Sequence, residues 1–187
     1  MKLTTLLVAA TAVIALPVPT PPGIPDTAAA RSQLAGLGVE AQGSGDGYSR
    51  ENEYVLKRDG DGVQVNNACT ATAGTWKSPY DGATWKNASD IDIDHMVPLK
   101  NAWVSGASAW TTEQRKAFAN DITRPQLWAV TNSVNRSKGD KSPDSWKPPL
   151  KTFYCIYAKS WIQVKSHYEL HITSAEKTAL SGMLDSC

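Results

Sequence analysis

An aspartate and a histidine stand side by side near the middle of the chain, where residues 92–99 read D-I-D-H-M-V-P-L. Hydrolysis of a phosphodiester needs a base for water, a cation that takes up charge at phosphorus, and stabilisation of the leaving oxygen. His95 offers the base. Asp94, and Asn135 in the later polar segment 126–141, offer the hard oxygen atoms that suit Mg²⁺ or Mn²⁺. The residues predict metal-dependent phosphodiester hydrolysis with one divalent ion.

Three basic residues follow the asparagine closely: Arg136, Lys138 and Lys141. We expect them to hold the scissile or flanking phosphates, because arginine and lysine make most protein contacts with the nucleic-acid backbone. An ordinary solvated face is the alternative interpretation of the same three residues.

Together these segments resemble the HNH, or ββα-metal, nucleases, and more closely their secreted bacterial and fungal branch. The resemblance rests on Asp94-His95 before Val97-Pro98-Leu99, and on the run N-R-S-K-G-D that begins at Asn135. It extends to Arg50-Glu51 and to Cys155, so it covers nearly all of the chain after the leader. The resemblance implies that His95 is the general base and that Asp94 and Asn135 bind the metal.

One position departs from the family pattern. Related nucleases have an asparagine nine positions before the last metal ligand, where it begins the second strand and fixes the loop of the finger. Here the residue is Gln126. Glutamine makes the same amide hydrogen bonds from one methylene further out, so we expect the loop to be held differently. Gln126 is placed with His95 among the catalytic residues that the resemblance implies.

The elements that must position these residues follow from periodicity and turn signals. Alternation over residues 91–95 predicts a short strand, and residues 127–131 predict a second one. Helices are expected from residue 111 or 112 to 120, over 152–168 and over 174–184, whereas 132–141 is a helix start or a tight loop. The predicted fold is α+β: a ββα-metal finger embedded in a mostly helical single domain with little sheet.

The first part of the chain indicates export. Residues 1–16 combine a basic start with a short apolar stretch, which predicts a signal peptide and a secreted protein with no membrane association after cleavage. Residues 17–46 are rich in proline, alanine and glycine and are interpreted as a linker or pro-segment, although 34–39 could form a short docking helix. The nuclease domain is expected over 47–187.

Three cysteines occur in a chain that is destined for an oxidising compartment. One disulfide and one unpaired thiol is the simplest arrangement, and we favour a bond between Cys155 and Cys187. A bridge that uses Cys69 stays open, because the sequence does not determine connectivity.

The net charge of +1 means that any phosphate-binding surface must be local. No separate DNA-reading module is recognised, so the sequence predicts a monomer that cuts nucleic acid with low sequence selectivity, DNA more than RNA. A ribonuclease that uses the same finger is one alternative. The other is a non-enzymatic secreted binding protein on a degenerate HNH scaffold. The chain has seven tryptophans, and in this alternative its tryptophan-rich loops hold a glycan or a partner.

Overall fold

The computed structural model describes residues 19–38 and 52–187. The predicted signal peptide and Arg50-Glu51 lie outside the described residues. Within them, the chain forms seven α-helices and five strands, in two small antiparallel sheets. The α+β prediction is confirmed at this level.

The first helix, α1 (Thr27–Gly36), lies in the segment that was interpreted as a linker. Asp26 caps it by accepting a hydrogen bond from the Ala29 amide at 2.8 Å. Ala30 and Leu34, four residues apart and so on one helical face, are buried in the main core, where α1 packs against the last two helices. α1 is thus a docked helix within that segment and begins earlier than the short docking helix considered over 34–39, because a few small apolar side chains suffice to bury one helical face.

A three-stranded sheet follows α2 (Asn52–Asp59) and was not predicted from the sequence. Its strands are β1 (Gly60–Val65), β2 (Ala71–Lys77) and β3 (Thr84–Asn87), in the order β1-β2-β3. The Trp76 indole lies inside and donates to the Leu56 carbonyl at 2.8 Å, which ties this sheet to α2. Shifts in register between the strands explain why no clear period of two appears in the sequence.

The second sheet contains only β4 (Ile91–His95) and β5 (Leu127–Thr131), with the bounds that the sequence predicted. The strands are antiparallel, and His95 pairs with Leu127. Their connection contains α3 (Leu99–Val104) and α4 (Thr112–Ala119), and α4 begins with a capping box between Thr111 and Gln114. α5 (Asn132–Lys138) follows β5 directly and packs on both strands.

The two faces of the β4–β5 pair contact different cores, because successive side chains of a strand point to opposite sides. Trp128 and Val130 belong to the larger core, and Ile93 and Leu127 to the smaller one. The larger core is closed by α6 (Tyr154–His167) and α7 (Ser174–Leu184).

A disulfide joins Cys155, near the start of α6, to Cys187, as predicted. Cys69 is exposed and outside this bond. Among the described helices, none is long and apolar enough to cross a membrane.

Candidate active site

His95 is the last residue of β4 and is 9% exposed. Its Nε2 atom lies 2.8 Å from the backbone carbonyl of Ala119, the residue that ends α4. A carbonyl oxygen only accepts hydrogen bonds, so Nε2 must carry the hydrogen in this contact. In the neutral ring, Nδ1 is then the basic nitrogen, and α4 fixes both the tautomer and the orientation of the imidazole.

Gln126 holds the chain that follows His95. Its side-chain amide accepts a hydrogen bond from the Val97 N–H at 3.1 Å and donates one to the Val97 carbonyl at 3.0 Å. The backbone carbonyl of Gln126 accepts from the Met96 N–H at 2.7 Å. The side chain is fully buried, so it cannot touch a substrate. We therefore correct the assignment of Gln126 from a catalytic to a positioning residue, whose amide fixes the loop through Val97.

The turn between α4 and β5 is fixed by Asp121. Its buried carboxylate accepts hydrogen bonds from Thr123 at 2.7 Å, from the Tyr168 hydroxyl at 2.7 Å and from Arg124 at 3.3 Å. Burial alone raises the pKa of Asp121, but these hydrogen bonds outweigh it and hold the pKa below its ordinary value. The turn therefore gives Ala119 and Gln126, at its two ends, fixed positions relative to His95.

Asp94 is buried and paired with a lysine. Its Oδ1 and Oδ2 atoms lie 2.9 Å and 2.8 Å from Lys138 Nζ, and Oδ2 also accepts from the Tyr80 hydroxyl at 2.5 Å. The same ammonium donates to the His95 carbonyl at 2.7 Å. α5 is thereby attached to the end of β4 that carries the proposed base.

Burial dominates the electrostatics of this pair. It raises the pKa of Asp94 and lowers the pKa of Lys138, and in each case the attraction of the opposite charge offsets only part of the effect. Burial, with the nearby Asp94 charge, also raises the pKa of Tyr80 well above its ordinary value, so this hydroxyl stays a donor. The cluster Tyr80–Asp94–Lys138 is a desolvated ion pair that is costly to break.

Asn135 lies beside Asp92 instead of Asp94. Its Nδ2 atom donates to Asp92 Oδ2 at 3.1 Å, and Asn132 Nδ2 donates to Oδ1 of the same carboxylate at 2.9 Å. All three residues are partly exposed. Among the described residues, the side-chain hydrogen bond of Asn135 thus goes to Asp92, and metal binding by Asp94 and Asn135 stays a prediction.

The predicted phosphate-binding residues divide into two groups. Arg136 and Lys141 are exposed, as contact with phosphate requires. Lys138 has no exposed surface, and its ammonium is bound to Asp94 and the His95 carbonyl. Its assignment to phosphate is therefore corrected: it is an internal counter-ion, neither a phosphate ligand nor part of a solvated face.

An open cavity of about 280 Å³ adjoins the asparagine side of this region. Asn132 and Arg136 line it, together with Trp85 and Asp90. The Trp85 indole is held by a hydrogen bond of 2.8 Å to the Thr131 hydroxyl. The cavity thus combines an aromatic ring, an arginine and polar oxygens at the start of α5.

The donor set fits a hard divalent cation only in part. Asp94 already has a lysine ammonium on its carboxylate, whereas Asp92, Asn132 and Asn135 offer carboxylate and amide oxygens of the kind that Mg²⁺ and Mn²⁺ prefer. No group of three or more histidine, cysteine, aspartate or glutamate residues suited to a metal occurs in residues 19–38 and 52–187. The fit therefore depends on one carboxylate and two amides.

Sequence reasoning missed three residues of this region: Asp92, Asn132 and Tyr80. A signal for Asp92 exists, because strand alternation puts Asp92 and Asp94 on the same face of β4. The spacing of three between Asn132 and Asn135 likewise puts both on one helical face. For Tyr80, which reaches Asp94 from a loop, the local sequence carries no such signal.

Comparison with known proteins places this chain in a family of nuclease domains. The family described as "GmrSD restriction endonucleases, C-terminal domain" matches residues 51–183. A protein of Arthroderma benhamiae described as "Uncharacterized secreted protein" is 57% identical over 185 residues, which cover 91% of each chain. No solved structure matches significantly. The secreted relative and the disulfide confirm the prediction that this protein is secreted.

Proposed function

Because the chain belongs to the family of GmrSD restriction endonuclease C-terminal domains, we propose that it is a secreted, metal-dependent endonuclease that hydrolyses DNA with low sequence selectivity. The observation that carries the proposal is the contact between His95 Nε2 and the Ala119 carbonyl, which prepares Nδ1 to accept a proton. The assignment of β4, β5 and α5 to an HNH, or ββα-metal, finger is part of this proposal.

His95 acts as the general base. Nδ1 accepts a proton from water, the water oxygen bonds to phosphorus, and the bond from phosphorus to the sugar oxygen breaks with its electron pair going to that oxygen, which then takes up a proton from solvent water. The Ala119 carbonyl orients the ring, Lys138 holds the backbone carbonyl of His95, and Gln126 holds the backbone of Val97 that follows. A base held this way contributes roughly 10²–10⁴ to the rate.

One divalent ion, Mg²⁺ or Mn²⁺, is the cofactor in this proposal, with Asn135 as a ligand. When bound, it supplies positive charge that offsets the charge developing on the phosphate oxygens. Most of its coordination shell belongs to water and phosphate, as is usual for these ions in nucleases.

Arg136 and Lys141 are the proposed phosphate contacts, because both are exposed, Arg136 in the last turn of α5 and Lys141 just after its end. Contacts with phosphate position a nucleic acid without reading its sequence, which agrees with low selectivity. The net charge of +1 keeps the attraction local and supports binding of a short stretch of backbone by one copy of the chain.

Cleavage of plasmid DNA tests the proposal directly. Purified protein is incubated with supercoiled plasmid and Mg²⁺ or Mn²⁺, with and without a chelator, beside a matched incubation with structured RNA. We expect plasmid to be nicked only when free metal is present, and faster than RNA is cut. Cutting of RNA alone would favour the ribonuclease alternative, and no cutting of either substrate would favour a non-enzymatic binding protein.

A further inference from the structure

The tryptophan that lines the cavity at the start of α5 differs from the tryptophans of the main core. Trp128 and Trp146 pack against other aromatic rings. Trp85 forms no contact of this kind within the described residues. It is half-buried on β3, packs against the smaller core and also lines the cavity. Packing therefore holds the indole in place while part of it borders open space.

The hydrogen-bonding group of this indole is already used. Its N–H donates to the Thr131 hydroxyl at 2.8 Å, and that hydroxyl donates in turn to Asp81 at 3.0 Å. The indole has no second donor or acceptor, so it offers a ligand in the cavity its apolar ring. A fixed aromatic ring is a stacking surface for a planar group, and every nucleobase has a planar face.

The charged groups that line the cavity come from two different segments. Arg136, in the last turn of α5, is exposed, and none of the ion pairs in the described part of the chain includes it. Ser133, three residues earlier and so on the same helical face, adds an exposed hydroxyl. Asp90, directly before β4, repels a phosphate but can accept from the amino group of a base. A nucleotide therefore fits with its phosphate at α5 and its base towards the segment that joins β3 to β4.

The size and place of the cavity suit one nucleotide of a strand that also reaches His95. Pockets for drug-sized molecules start at about 300 Å³, so the cavity of about 280 Å³ suits one unpaired base. Thr131 pairs with Ile91 at the cavity end of the sheet, and His95 lies at the other end of β4, roughly 13 Å away. Because phosphates follow one another about every 3.4 Å along a strand of B-DNA, the cavity lies a few nucleotides from His95.

We propose that this cavity is a subsite for one unpaired nucleotide of single-stranded DNA, whose base stacks on Trp85 and whose phosphate pairs with Arg136. The inference rests on the proposed function, which supplies the nucleic acid, and it names the form of DNA that binds best. In a duplex the neighbouring bases cover both faces of each base, and unstacking one costs a few kcal/mol. Stacking tolerates any base, which agrees with low sequence selectivity.

Binding of short oligonucleotides in chelator tests the subsite without any cleavage. A labelled oligodeoxycytidine is titrated with the full-length secreted protein and followed by fluorescence anisotropy, beside a strand of the same length that keeps the sugars and phosphates but has no bases. Wild type is compared with Trp85→Leu, which removes the aromatic ring, and with Trp85→Phe, which keeps one. Melting temperatures are recorded for every variant.

We expect wild type to bind the oligodeoxycytidine about 5- to 140-fold more tightly than the strand without bases, since one stacked base is worth about 1–3 kcal/mol. A duplex of the same length should bind less tightly than the single strand. Trp85→Leu should lose the preference for bases, and Trp85→Phe should keep most of it. A residue that only packs the core would lower the melting temperature and leave this preference unchanged. If Trp85→Leu does not fold, Trp85→Val takes its place, because valine suits a strand.

The phosphate side of the subsite is tested by Arg136→Gln. Loss of one phosphate contact on a single strand should reduce the slope of log affinity against log salt concentration by about 0.7. Arg31→Gln is the matched control, because Arg31 is an exposed arginine of α1 that does not line this cavity, and it should leave the slope unchanged. A slope for Arg136→Gln equal to that of wild type would refute the phosphate contact.

Three results would overturn the subsite: no binding of oligodeoxycytidine by wild type, equal binding of the strands with and without bases, or a folded Trp85→Leu variant that keeps the wild-type preference. Plasmid cleavage by wild type tests the proposed function separately. Cleavage without any effect of Trp85 on binding would remove the subsite alone. Base-dependent binding without cleavage would keep the subsite and remove the enzymatic proposal.

Discussion

Replacement of Lys138 by methionine tests whether its ammonium is the internal counter-ion of Asp94. Methionine keeps an unbranched apolar stem of similar length and removes only the charge. Asp94 would then be a buried carboxylate whose remaining side-chain donor, within residues 19–38 and 52–187, is the Tyr80 hydroxyl. Removal of one partner from a buried ion pair costs about 3–5 kcal/mol of the free energy of unfolding.

In a protein of this size, 1 kcal/mol corresponds to about 2–4 °C, so the melting temperature should fall by about 10 °C. Thermal denaturation is followed by circular dichroism in chelator, so that bound cation does not contribute. Lys141→Met, an exposed lysine just after the same helix, is the matched control and should change the free energy of unfolding by less than about 0.5 kcal/mol.

The double variant Asp94→Asn/Lys138→Met completes the cycle. Because neither charge remains, it should be more stable than Lys138→Met alone. Equal melting temperatures for Lys138→Met and Lys141→Met, or a double variant that is no more stable than Lys138→Met, would refute the description of this buried pair.

Three further predictions concern the frame around the site. Leu34→Ala should cost about 3 kcal/mol, because the side chain is buried in the main core, and a denaturant titration that finds no loss would contradict the packing of α1. The pKa of Asp121 is lowered by folding, so its contribution to stability is present above the unfolded pKa near 4 and is lost as the pH falls through the folded value. Tyr168→Phe should therefore reduce the loss of stability on acidification, as melting curves from pH 7 to pH 3 will report, and identical pH profiles would rule this out. Reduction of the Cys155–Cys187 bond should cost about 3 kcal/mol, measured by denaturation with and without reductant.

The elements with strong local patterns could be predicted from the sequence. β4 follows from the alternation of Ile91 and Ile93 with polar residues, and α7 (Ser174–Leu184) has the predicted bounds. α1 was missed because its buried face depends on Ala30 and Leu34, which only the packing against α6 and α7 makes significant. Local sequence does not contain that packing.

The types of residue in the site could be predicted from the sequence, but not which of their side chains contact each other. Residue spacing shows that Asn135 and Lys138 share a face of α5, and that both aspartates share a face of β4. Which residue meets which depends on how α5 crosses the strand, and that is set by packing over the whole domain. In the structure, Lys138 reaches Asp94 and Asn135 reaches Asp92.

The rate of plasmid nicking by His95→Ala tests the central claim most directly, with His167→Ala as control because His167 is an exposed histidine at the end of α6. Both variants are compared with wild type at saturating Mn²⁺ and equal protein concentration, and circular dichroism verifies that both are folded. We expect His95→Ala to lose roughly two to four orders of magnitude in rate while Mn²⁺ affinity stays unchanged, and His167→Ala to match wild type. Nicking by His95→Ala at the wild-type rate would contradict the proposal that His95 is the general base.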